Sequence, residues 1–389
     1  MDRLRQLTSH FSSAPTGLAA LSKKSPDDVV VTMAVRSALT KAKKGGFKDT
    51  RSDELLTGMF KTAIAKMQID PALIQDICVG TVLPPGAPYE ARSAALAAGI
   101  PQTTPVQVIN RFCSSGLMAV TTVANQIRVG QIEIGLAVGV ESMTTNPDSG
   151  SWRVANGISP DSGSPKLSDD IMAHKAAKDC VQPMGWTSEN VAQDFNISRE
   201  DMDKFAALSH QRASEAQRTG KFTEIVPVEG FSKSESGERT RIIVDKDDGI
   251  RHDSTPAALG KIRSAFPQWG GGKTTGGNAS QITDGGGSCV AHEAKEGRGA
   301  GQTGLTIGDV DLFEINEAFA SMYVYCVRKL GLDIEKVNVN GGAIALGHPL
   351  DKCSPNCNRS SRARTPRRKG PGNIYVYWSW NGRSSRLHS

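Results

Sequence analysis

Short apolar runs at 77–82, 106–109 and 134–140 alternate with helical periodicity over Asp53–Met67 and Ser114–Val129. Runs of this length suit buried strands, and strands alternating with amphipathic helices predict a sheet covered on both faces. No run reaches the 18 apolar residues that a membrane-spanning helix needs. From about 150 to 255 the chain turns more polar and irregular, with helical stretches at 188–195 and 199–219. That region reads as an insertion, not as a further repeat of the layer.

Downstream the pattern echoes itself. Asp311–Asn316 occupies the place of the Asp76–Thr81 strand, and Val337–Asn340 that of Val106–Asn110. Phe313 precedes His348 by 35 residues, and Val79 precedes Cys113 by 34. Two copies of one αβ half are expected.

Charge and cysteine content exclude several functions. The formal charge is +6, but the last 39 residues hold seven Arg and two Lys against one Asp, a net of +8. The preceding 350 residues therefore carry −2, so the basicity does not describe a nucleic-acid-binding domain. The seven cysteines lack paired metal-ligand spacing, which argues against both a zinc site and a disulfide scaffold and fits a reducing compartment.

Three segments could carry chemistry. In Asn110-Arg111-Phe112-Cys113-Ser114-Ser115-Gly116 a buried strand runs into a helix with Cys113 at the junction. A thiol there meets the positive end of the helix dipole and free N–H groups, which favour thiolate; a buried structural cysteine is the plain alternative. Gly341-Gly342-Ala343-Ile344-Ala345-Leu346-Gly347-His348-Pro349 offers a glycine-rich turn from which His348 could accept a proton from Cys113, or could simply be a surface histidine. Asn316 in Asn316-Glu317-Ala318-Phe319 could hold a water or donate to developing negative charge, or could cap a helix.

Taken together these segments resemble the thiolase family, and within it the degradative 3-ketoacyl-CoA thiolases of peroxisomes. The resemblance covers 28–285 and 305–350, and includes Glu141-Ser142-Met143, Met184-Gly185-Trp186-Thr187-Ser188-Glu189-Asn190, Asp248-Gly249-Ile250-Arg251 and Gly277-Asn278-Ala279-Ser280-Gln281. It implies an α/β thiolase fold: two similar mixed-sheet halves in an α/β/α/β/α layering, with a loop domain inserted in the first. The expected division is a leader and linker at 1–27, a first half at 28–149 and 256–285, and a loop domain at 150–255. An aberrant segment at 286–304, a partial second half at 305–350 and an aberrant basic tail at 351–389 follow. The resemblance makes Cys113 the acyl carrier, His348 its proton acceptor and an oxyanion donor, and Asn316 the holder of a water, with Ser280 and Met184 on the CoA substrate. It implies no cofactor beyond CoA as substrate, no metal, a homodimer, and a peroxisomal import receptor. Arg3-Leu4, five residues, then His10-Phe11 matches the amino-terminal type of peroxisomal signal, with Leu4, Leu7 and Phe11 on one helical face. A biosynthetic acetoacetyl-CoA thiolase and a catalytically impaired CoA-binding relative are the alternatives.

The sequence leaves the family pattern twice, after Gly285 and after Leu350, and the second cysteine of the family, in a C-x-G-x-G segment, is missing. Shifted by one nucleotide, synonymous codons allow an alanine-rich strand after Gly285. The same shift turns Tyr375–Arg383 into Met-Cys-Ile-Gly-Ala-Gly-Met-Gly, which contains the missing motif. Both segments thus read as frameshifted, with a few dozen family residues absent between 285 and 305. As written, the chain is expected to lose a central strand from the first half and the last helix and strand from the second. Mass spectrometry of C-terminal peptides from the native protein should return the shifted frame; peptides matching 351–389 as written would refute it.

Overall fold

The computed structural model describes residues 29–146, 168–180, 184–267, 271–293 and 307–349. The leader and the basic tail lie outside these residues. A six-stranded mixed sheet is built from β1 (Val29–Arg36), β2 (Thr40–Lys41), β3 (Asp76–Gly80), β4 (Val106–Ile109), β5 (Ile134–Ser142) and β8 (Thr283–Glu293), in the order β1-β8-β5-β3-β4 with β2 on β8. β4, β3 and β5 are parallel, while β8 runs antiparallel to both β5 and β1.

Alternation along each strand separates two cores. On one face Ile77, Val79, Leu136, Val138, Val140 and Val290 pack beneath α1 (Ser52–Met67) and α2 (Ala87–Ala97), which contribute Leu55, Met59, Phe60, Ala91 and Ala94. On the other, Cys78, Ala137, Cys289 and Ala291 meet Ala119, Val123 and Ile127 of α3 (Ser115–Arg128). α1 begins where the Glu54 carboxylate accepts the Arg51 N–H at 2.9 Å and ends at Gln68 in the left-handed region. Each fully buried Leu, Met or Phe on it is worth roughly 1.5–3 kcal/mol.

β8 corrects one expectation. The strand continues past Gly285 to Glu293 and fills the gap between β1 and β5, so the first half keeps its central strand. Small residues make this possible: Ser288 and Val290 face α1, Gly287, Cys289 and Ala291 face α3, and none needs more room than the two helices leave. The cost is polar, since the Ser288 hydroxyl is buried without a partner among the described residues.

The region after β5 forms α4 (Asp169–Ala173), α5 (Lys175–Cys180), α6 (Met184–Asp194), α7 (Arg199–Arg218), the hairpin β6 (Val228–Lys233) and β7 (Arg239–Val244), and α8 (Pro256–Gly260). Val191, Ala192, Met202 and Ala206 of α6 and α7 pack on Ala320 and Val324 of α9 (Ala320–Leu330) and Ile344 of α10 (Ala343–Leu346). The helices of this region therefore lean on the second half. The buried Arg36 guanidinium ties β1 to the same region, donating to both Asp247 oxygens at 2.7 and 2.8 Å and to Glu224 at 3.1 Å.

The echo in the second half is realised at one point. Phe313 and Val337 form a parallel bridge, with Phe313 N–H on Lys336 C=O at 2.8 Å and Asn338 N–H on Phe313 C=O at 2.9 Å. The 337–340 strand then stops, because Asn338 turns left-handed at φ 44°. Its amide takes over the ladder, accepting from Ile315 N–H and donating to Ile315 C=O, both at 2.8 Å.

Candidate functional site

Cys113 stands half-buried in the turn between β4 and α3. The turn is fixed locally. The Ser115 hydroxyl accepts Arg111 N–H at 2.9 Å and donates to Phe112 C=O at 2.7 Å, and the Ser114 hydroxyl donates to Arg111 C=O at 3.0 Å. Phe112 is held left-handed at φ 50°, a costly conformation for a bulky residue, with its N–H on Asn110 Oδ1 at 3.0 Å. α3 starts two residues after the thiol, so Cys113 directly precedes the N-cap Ser114, at the strand-to-helix junction its sequence position predicts. Burial pushes the Cys78 and Cys289 thiols up to about 12 and that of Cys326 to about 11, which keeps these three protonated at neutral pH.

The approach of α3 to the sheet depends on glycine. Gly80, Gly139 and Gly287 are in register across β3, β5 and β8 on the face that α3 covers. A Cβ on Gly80 would lie 2.5 Å from the Ser115 carbonyl carbon and 2.7 Å from Gly116 N.

Asn316, His348 and Ser280 converge from separate segments. His348 is buried, not on the surface; its N–H reaches Thr283 Oγ1 at 3.1 Å and Gln281 C=O at 3.3 Å. Asn316 Nδ2 lies 3.5 Å from His348 Nε2, a long contact whose donor and acceptor roles depend on the imidazole tautomer. Asn316 caps no helix, since Phe319 holds the N-cap position of α9. Ser280 N–H donates to Ala318 C=O at 2.9 Å, which places Ser280 between the Asn316 and His348 segments. Gly347 adopts φ 101°, and a Cβ there would strike Thr283 Oγ1 at 2.3 Å, so only glycine brings the imidazole this close to β8. Met184 opens α6 with 39 % of its surface exposed and makes no hydrogen bond to this group. Cys113 is carried separately, on the first half.

Three carboxylates near these segments escaped the sequence reading of roles. Glu317, fully buried, accepts the Ser209 hydroxyl at 2.6 Å, Asn338 Nδ2 at 2.7 Å and Ile344 N–H at 3.2 Å, so one side chain ties the Asn316 strand to the turn that leads to His348. Burial raises its carboxyl above the usual range, against these donors. Asp284, likewise raised by burial, accepts Thr144 N–H at 2.9 Å and the Ser142 hydroxyl at 3.2 Å. Burial pushes Glu141 up to about 8, opposed by the N–H groups of Val82 and Leu83 and reinforced by Asp284 and Glu90. Among the described residues no group of three His, Cys, Asp or Glu side chains could hold a metal ion.

Comparison with known proteins decides the family. Residues 29–295 match the family described as "Thiolase, N-terminal domain" and residues 297–357 "Thiolase, C-terminal domain". The chain belongs to the thiolase family. It is 43% identical over 386 residues to the peroxisomal 3-ketoacyl-CoA thiolase of Yarrowia lipolytica, covering 90% of each chain. To peroxisomal 3-ketoacyl-CoA thiolase A of Mus musculus it is 39% identical, covering 90% of this chain and 89% of that one. Among solved structures, the dimeric peroxisomal thiolase of Saccharomyces cerevisiae superposes with a TM-score of 0.77 at 39% identity, covering 88% of this chain and 92% of that one. Human mitochondrial 3-ketoacyl-CoA thiolase gives 0.69 at 30% identity, with 87% and 91% covered. A second yeast peroxisomal thiolase structure is described as five layers built from two core domains of identical topology, the layering expected of this thiolase fold.

The Glu141 shift sets a pH dependence. An acid whose folded pKa is raised binds more protons folded than unfolded between its ordinary value of 4.5 and about 8, so its contribution to stability falls as pH rises through that window. Glu141→Gln removes this titration. In chemical denaturation at pH 5 and pH 8, the variant should gain on the wild type by roughly 3–4 kcal/mol across the interval; a pH-independent difference would contradict this.

Proposed function

We propose that this thiolase cleaves 3-ketoacyl-CoA with CoA, giving acetyl-CoA and an acyl-CoA shortened by two carbons, in peroxisomal fatty-acid β-oxidation. What supports the proposal is that a thiol beside a helix N-terminus and, on separate segments, a buried histidine–asparagine pair occur in a chain so similar to peroxisomal 3-ketoacyl-CoA thiolases.

The chemistry follows from these groups. His348 takes the Cys113 proton, and the thiolate attacks the 3-keto carbonyl carbon, sending the π electrons to oxygen. His348, together with a water held by Asn316, stabilises that oxyanion. Collapse breaks the C2–C3 bond, leaves the acyl group on sulfur and expels the acetyl-CoA enolate, which takes up a proton at carbon. The shifted reading of Tyr375–Arg383 would supply the acid, a cysteine in C-x-G-x-G. The thiol of a second CoA gives its proton to the thiolate left on that cysteine and attacks the acyl-Cys113 thioester, and Cys113 leaves as thiolate. Ser280 and Met184 line the CoA path in this reading. CoA is a substrate, and neither a cofactor nor a metal takes part.

We also propose a homodimer, after the dimeric yeast relative, and import through the Arg3–Phe11 signal. Incubation with a 3-ketoacyl-CoA and no CoA should add the acyl mass to the Cys113 peptide; Cys113→Ser should abolish it, and His348→Ala should slow it by roughly 10²-fold or more. Acylation of a different residue, or none, would overturn the assignment.

A further inference from the structure

Glu141 stands on the face of β5 that α3 covers, and the packing along that face fixes its level. A Cβ on Gly135 would meet Val123, and one on Gly80, which pairs with Gly139, would meet Ser115 and Gly116. Four strand residues, at about 3.3 Å each, are thus matched by seven or eight helix residues at about 1.5 Å each. Two further strand residues bring Glu141 level with the Arg111–Cys113 turn.

A chain of hydrogen bonds joins the two. Glu141 Oε2 accepts Val82 N–H at 3.0 Å and Leu83 N–H at 3.4 Å. Val82 C=O accepts Asn110 Nδ2 at 3.2 Å, and Asn110 Oδ1 accepts the N–H of left-handed Phe112 at 3.0 Å. The carboxyl is fully buried, and its Oε1 has no partner among the described residues. A group so expensive to bury, with one oxygen spent on two backbone N–H groups and the other on nothing, contributes little to stability by itself. Its connection runs to the residue before the nucleophile.

We propose that Glu141 is a positioning residue for Cys113, holding the strained Phe112–Cys113 turn in its reactive geometry through the Val82 backbone and Asn110. The proposal rests on Cys113 being the nucleophile. Gln at 141 keeps an oxygen to accept from Val82 and Leu83, whereas Ala does not. Asn110 is exposed, so Asn110→Ala breaks the middle link without touching the core.

The test is the rate of Cys113 alkylation by iodoacetamide, read by mass spectrometry of the Cys113 peptide, with kcat and KM measured beside it. Glu141→Ala and Asn110→Ala should each slow alkylation about 10-fold and lower kcat with KM little changed. Glu141→Gln should stay within about 3-fold of the wild type, and the double Ala variant should be no slower than the slower single one. Loss in Glu141→Gln equal to that in Glu141→Ala, an unchanged rate in Asn110→Ala, or multiplied effects in the double variant would each overturn the proposal. Should Glu141→Ala not fold, Asn110→Ala and Glu141→Gln still decide. A wild-type Cys113 that reacts no faster than an ordinary thiol would instead refute its role as nucleophile.

Discussion

Contact between the start of α3 and the sheet governs where Cys113 can be. The helix can seat its first turn on β3 because Gly80 presents no Cβ to Ser115 and Gly116, and because Gly139 and Gly287 continue that bare row across two more strands. Larger residues would lift the N-terminus of the helix and carry Cys113 away from the ends of the parallel strands. That the third glycine belongs to β8 matters. The segment after Gly285 is chemically plain, yet its smallness lets it serve as the central strand.

The second half solves a different problem, that of holding a histidine and an amide close together on loops. It does so with buried polar groups instead of a long ladder. Asn338 replaces the backbone pairing it interrupts, and Glu317 accepts from three segments at once, including Ser209 of α7. Such a network is costly to bury and rigid once satisfied. The inserted helices thereby take part in shaping the Asn316–His348 pair, which links a region of plain helical packing to the chemistry.

Local pattern made much of this legible. The helix expected at 199–219 is found at Arg199–Arg218, that at 114–129 at Ser115–Arg128, and the strand at 106–109 where the apolar run lies. α2 is not legible in the pattern, because its Ala-rich sequence, preceded by Pro84 and Pro85 and carrying Pro88 in its first turn, has little apolar periodicity. The 337–340 run does not continue as a strand, since Asn338 turns left-handed and its side chain bonds the backbone of Ile315, distant in sequence. Cys113 was readable from its strand-to-helix position, and burial of His348 was not, because it depends on Thr283 and Gln281 coming alongside. The parts played by Glu141 and Glu317 were hidden for the same reason: their partners lie tens of residues away.

In the proposed mechanism the two halves work as one site, with His348 of the second activating Cys113 of the first. The pH dependence of Cys113 alkylation in the wild type and in His348→Ala tests it most directly. If His348 takes the thiol proton, the midpoint of the wild-type profile lies lower than that of the variant by about one pH unit or more. Superimposable profiles would contradict the account, because Cys113 would then owe its reactivity to the α3 N-terminus alone.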